Sequence, residues 1–94
     1  MARTQESIPC PSGMWTQITN GDVENITFQV QVTDVRIAIT AGAVAPTGTD
    51  GFFYKKGWAE ARRALTDYTA LVGANRVWAR PIGTTGASVL VDHV

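Results

Sequence analysis

Apolar and polar side chains alternate most cleanly in the middle of the chain. Ile26, Phe28, Val30 and Val32 interleave with Thr27, Gln29 and Gln31, the period of two that puts one face of a strand in a core and the other toward water. Thr33 and Asp34 supply a turn, and Val35, Ile37 and Ile39 then alternate with Arg36, Ala38 and Thr40. The pattern predicts two strands paired antiparallel. A shorter strand is expected over Trp15 to Thr19, stopped by Asn20, Gly21 and Asp22. Toward the carboxyl end, Arg76, Trp78 and Arg80 alternate with Val77 and Ala79 until Pro81 limits pairing. Gly83 to Gly86 turns the chain into a last strand, Ala87 to Val94, with Val89 and Val91 on one face and Ser88, Leu90 and Asp92 on the other.

Two segments read less directly. Ala41 to Gly51, with Gly42, Pro46, Gly48 and Gly51, is an exposed loop leading into Phe52, Phe53 and Tyr54 and then Lys55, Lys56 and Gly57. Those rings either fill the core of a short strand or dock on a partner, where aromatic anchors carry much of the binding energy. Trp58, Ala61, Leu65, Tyr68 and Val72 fall at helical spacing, so periodicity favours a helix of about three turns stopped by Gly73, while Glu60 to Leu65 also fits a partly exposed strand followed by a tight turn.

The amino end has no apolar stretch of signal-peptide length, and no run of apolar residues is long enough for a membrane helix. Synthesis in a cytoplasm is the expectation, with no membrane partner. Cys10, between Pro9 and Pro11, sits where neither a helix nor a central strand is tolerated, which fits an extended arm or a covering edge. The expected organisation is an extended N-terminal arm over residues 1–13 and a single mainly β domain over 14–94.

Composition narrows the function. With 94 residues, one small core is all the chain can bury. Eight Lys+Arg balance eight Asp+Glu, which removes the electrostatic case for specific nucleic-acid binding. Only 17% of residues are charged, a surface better suited to a protein attached to neighbours than to a free monomer. One cysteine makes no intrachain disulfide, and no metal-ligand cluster or cofactor motif occurs. Ser88, Asp92 and His93 are hydrolase residue types, but Asp92 and His93 point to opposite faces of one strand. Asp34, Asp50, Asp67 and Asp92 are too dispersed for a carboxylate pair or a calcium loop, and the glycines of 42–51 do not form a phosphate-binding loop. The chain therefore reads as a contact protein, not an enzyme. Arg62, Arg63, Arg76 and Arg80, with Trp78 between the last two, are the best surface for such contacts.

Three stretches, WTQITNGDVENITFQ from Trp15, VRIAITAGAVAP from Val35 and GANRVWAR from Gly73, resemble small accessory virion proteins of tailed bacteriophages. The resemblance implies a small antiparallel β-sandwich or jelly-roll-like domain, present in several copies or as a homo-oligomer on a symmetric particle. It also implies a strand and turn, instead of a helix, after Trp58. Trp15, Ile26, Phe28, Ile37, Ile39, Pro46, Val77 and Trp78 are the matching positions, expected to be core or loop-shaping. The implied role is capsid decoration: a cement protein on the outer surface of the head, bridging subunits of the major capsid protein. A tail or fibre adaptor and a surface glycan- or host-binding module are the alternatives. The residues expected to meet the partner are Ile8, Pro9 and Pro11 in the arm, Phe52 and Tyr54 near the loop, and Arg76, Trp78 and Arg80 in the late strand.

Overall fold

The computed structural model describes residues 4–19, 23–42, 44–48, 50–68 and 73–93. Among the described residues, eight strands follow in order: β1 (Thr4–Cys10), β2 (Thr16–Gln17), β3 (Asn25–Gln31), β4 (Val35–Thr40), β5 (Phe52–Tyr54), β6 (Ala59–Ala64), β7 (Arg76–Pro81) and β8 (Ala87–His93). A single 3-10 turn, Leu65–Asp67, follows β6. The strands form two antiparallel four-stranded sheets, ordered β1-β8-β3-β6 and β2-β7-β4-β5. This is a small β-sandwich, as expected.

The core lies between the sheets. Ile26, Phe28 and Val30 of β3 and Ala87, Val89 and Val91 of β8 face Val35 and Ile37 of β4 and Val77 and Ala79 of β7. Of the matching positions, Trp15, Ile26, Phe28, Ile37, Val77 and Trp78 are buried, and Ile39 and Pro46 are half-buried.

The alternating runs β3 and β4 form as the pattern predicts, but they do not pair with each other. Each belongs to a different sheet. The chain crosses over at Val32, whose φ of 78° lies in the left-handed region, with Thr33 N–H donating to Gln31 O at 3.0 Å. The two apolar faces thus oppose each other across the core, which buries both. A flat hairpin would bury neither until a third element covered it.

The helix that periodicity favours over 58–72 does not form in the described part. Ala59–Ala64 pairs with β3, Asn25 opposite Ala64 and Phe28 opposite Glu60. Without β6, one side of β3 would leave its backbone groups unpaired beside the core, and that requirement outweighs a helical pattern. Gly57 (φ 91°) makes the preceding turn, its N–H donating to Val30 O at 2.7 Å. Residues 69–72 and the stop signal Asn20 to Asp22 lie outside the described residues.

The segment expected as an arm is, from Thr4 to Cys10, a strand of the same body. It pairs with β8 along its whole length, Thr4 opposite His93 to Cys10 opposite Ala87. Ile8 packs on the core and Cys10 belongs to it. As the outer strand of its sheet, β1 tolerates Pro9, which a central strand would not.

Two outcomes follow from this arrangement. Deleting residues 1–11 is expected to lower the unfolding free energy by roughly 3–5 kcal/mol, because Ile8 and Cys10 leave the core and β8 loses its cover; a dispensable arm would change the urea midpoint very little. Val32→Gly is expected to stabilise by about 0.5–1 kcal/mol in the same assay, relief of left-handed strain exceeding the added backbone entropy.

Candidate functional site: an aromatic edge

Phe52 and Phe53 are adjacent in a strand, so their rings point to opposite faces. Cross-strand register puts Phe52 opposite Ile37, Phe53 opposite Arg36 and Tyr54 opposite Val35. Tyr54 therefore turns inward, where its ring meets Phe28 edge-on at 5.2 Å. Phe53 turns outward and meets Trp58 at 6.4 Å, the two planes 85° apart. Phe52 leans on Tyr68 at 5.5 Å. Phe52, Phe53 and Trp58 keep 49%, 43% and 50% of their surface exposed. These rings and Tyr54, Ala59 and Glu60 line one shallow, open depression where β5, an outer strand of one sheet, meets β6, an outer strand of the other.

Beneath the rings, a chain of polar contacts fixes the edge. Tyr54 Oη lies 3.1 Å from Glu60 Oε2 and 3.0 Å from Tyr68 Oη. One hydroxyl proton allows one donation, and the carboxylate is the stronger acceptor, so Tyr54 donates to Glu60 and accepts from Tyr68. Glu60 also receives Arg63, Nε at 3.2 Å from Oε2 and Nη2 at 3.3 Å from Oε1. Residues three apart in a regular strand lie on opposite faces. Here a β-bulge intervenes: Ile26 is opposite Arg63 and Phe28 opposite Glu60, leaving Ala61 and Arg62 against Thr27 alone. Arg62 takes a left-handed φ of 51° and donates its N–H to Thr27 Oγ1 at 2.8 Å.

The phenols here are not acids at ordinary pH. Burial raises the Tyr68 hydroxyl far above its usual range, helped by its hydrogen bond to Tyr54. Burial also raises Tyr54, partly offset by the bond from Tyr68. On the far side of the molecule, burial pushes the Cys10 thiol up to about 11, its hydrogen bond with Thr16 working the other way. A thiol so held has little thiolate to react.

The residues expected to meet a partner fall in three places. Phe52 and Tyr54 reach the aromatic edge, Phe52 exposed and Tyr54 half-buried as a support. Arg76, Trp78 and Arg80 share the outer face of the other sheet, but Trp78 is only 8% exposed, its Nε1–H donating to Thr40 Oγ1 at 2.7 Å. Its ring is thus structural and offers a partner no surface. Arg76 and Arg80 are half-buried, opposite Thr40 and Arg36. Ile8, Pro9 and Pro11 lie on or next to β1, at the opposite end of the first sheet from β6, with Ile8 half-buried and both prolines exposed. They do not join the aromatic edge. Phe53 and Trp58, the rings that complete it, are absent from the expected set; the signal for Phe53 is its adjacency to Phe52, since only one of two neighbouring rings can face inward.

Among the described residues, no group of three or more His, Cys, Asp or Glu is placed to hold a metal, and no helix is long and apolar enough to cross a membrane. No protein-family model, curated protein sequence or solved structure matches the chain. The class that fold and site define is a small antiparallel β-sandwich with an exposed aromatic edge.

The raised thiol and phenols give stability a sign with pH. The unfolded thiol ionises near 9.0 and the folded one near 11, so the unfolded state holds fewer protons in that window. The thiol's contribution to stability is expected to be constant below about pH 9 and to be lost as pH rises from 9 to 11. Urea midpoints at pH 8 and pH 10.5 check this, and Tyr68→Phe is expected to lessen the alkaline loss further up the scale.

Proposed function

We propose that this chain is a structural protein of a tailed-phage particle, a decoration or cement protein that sits in several copies on the outer surface of the head and bridges major capsid subunits. The observation that carries the reading is the exposure of Phe52, Phe53 and Trp58 on one edge of a lightly charged sandwich. The resemblance of the Trp15, Val35 and Gly73 stretches to accessory virion proteins directs it to a phage particle.

The mechanism is contact. Half-exposed rings, held in place from below by Tyr54, Tyr68, Glu60 and Arg63, enter pockets at the joints between capsid subunits. Each ring buried there removes apolar surface from water and contributes on the order of 1–2 kcal/mol. Expansion or rupture of the shell then has to break these contacts first. Binding linked to the assembled shell stabilises that state by mass action. The described part of the N-terminal segment is committed to β8 and contributes to attachment by holding the sandwich together.

A tail or fibre adaptor would use the same edge on another partner. For a glycan-binding module, the Phe53 and Trp58 planes, 85° apart, make a poor platform, because sugar stacking needs a broad ring face.

The test is binding of the purified protein to particles lacking it, followed by cryo-electron microscopy. Regular density over capsomer joints is expected, and Phe53→Ala with Trp58→Ala is expected to weaken binding at least about tenfold while the exposed positions leave the thermal midpoint nearly unchanged. Density confined to the tail, or no association with particles, overturns the decoration reading.

A further inference from the structure

On the outer face of the β2-β7-β4-β5 sheet, Arg36 and Arg80 are directly opposite each other across the β4–β7 ladder. Side chains so placed start about 5 Å apart, and like charges there repel. Both guanidinium-bearing residues line one recess of about 300 Å³, completed by Gly13, Pro81, Ile82 and Gly83. Both are half-buried, so the repulsion is less screened than on an open surface.

No described carboxylate forms an ion pair with Arg36. Arg36 Nη1 donates to Gly51 O at 3.4 Å, a long bond that leaves its other donors available. The nearby acids are engaged or placed elsewhere. Asp34 Oδ1 accepts Lys56 N–H at 2.8 Å, and Asp50 lines a separate recess with Ile37, Ile39, Phe52 and Tyr68. Arg80 has no ion pair with any described carboxylate.

We propose that the Arg36–Arg80 recess is a binding site for one oxyanion, a carboxylate or a phosphate group, held by both guanidinium groups. A planar guanidinium fork matches the paired oxygens of such an anion, and an anion between two residues that line the same recess offsets the repulsion across the ladder. At about 300 Å³ the recess has room for a small anionic group, and a net charge of zero supplies no broad field for an extended polyanion. Phe53 is the neighbour of Arg36 on its other side, so the site adjoins the aromatic edge. The site rests on its own geometry and stands or falls independently of the particle reading.

The experiment uses the isolated full chain at fixed ionic strength, titrated separately with inorganic phosphate and with acetate. Arginine Nε–H and backbone amide resonances are followed by NMR. Saturable shifts centred on Arg36, Arg80 and Gly83 are expected, with Arg36→Gln and Arg80→Gln each weakening binding at least about tenfold. Arg36→Lys, which keeps the charge and loses the fork, is expected to weaken it severalfold, and Lys55→Gln to leave it unchanged. Preference for phosphate assigns a phosphate group; equal or better binding of acetate assigns a carboxylate such as an acidic side chain of a partner. Absence of saturation, or equal loss in Lys55→Gln, overturns the proposal, since the shifts would then report diffuse charge. Far-ultraviolet circular dichroism of each variant separates lost binding from lost fold.

Discussion

Burial of the apolar faces of β3 and β4 against each other is the constraint from which the rest of this molecule follows. Each strand supplies fully buried side chains, Val30 from one and Val35 and Ile37 from the other. The crossover at Val32 sets the two faces opposite one another at the cost of a left-handed β-branched residue. Once that slab exists, β8 and β7 complete it from the carboxyl half, and the remaining strands are recruited to pair the exposed sides.

How those outer strands are finished decides where function can lie. Pro9 and the polar residues of β1 blunt one edge, and the bulge at Arg62 with two adjacent arginines blunts β6, both ordinary ways of discouraging another strand from adding on. The short β5 carries aromatic rings instead. The surface available for specific contact is therefore a side-chain surface and not a backbone ladder, and the Glu60 to Tyr68 hydrogen-bond chain keeps it in one arrangement. Two tyrosines and an ion pair beneath three half-exposed rings limit the rotamer entropy lost when a partner covers them.

The other sheet's outer face divides differently. Trp15 and Trp78 are drawn under cover, Trp15 donating to Gly48 O at 2.9 Å and Trp78 to Thr40, so the β4–β5 loop is laid against the sheet instead of standing free. Gly51 permits this approach, since a Cβ there would come within 2.8 Å of Ile37 O. Among the polar groups left on that face is the Arg36–Arg80 pair, which adjoins the aromatic edge through Phe53.

The alternation of Ile26 to Gln31, Val35 to Thr40 and Arg76 to Ala79 was enough to determine that these residues form strands and which of their side chains face inward, because period-two geometry is local; Val32, which continues the apolar pattern, instead ends the strand as the exposed crossover residue. The edge character of the Pro9 segment was equally local. Sheet membership was not, since a strand's pattern names its buried face but not its neighbour; β3 and β4 read as partners and lie in opposite sheets. Nor was the fate of Ala59 to Ala64, whose helical spacing yielded to the unpaired side of β3. The candidate site shows the same division. Phe52 and Tyr54 were legible as unusual rings, whereas Trp78 looked available and is buried, and Glu60 meets Arg63 only because a bulge shifts their register. Side-chain exposure and cross-strand pairing come from contacts between segments far apart in the chain, and only the tertiary structure brings those segments together.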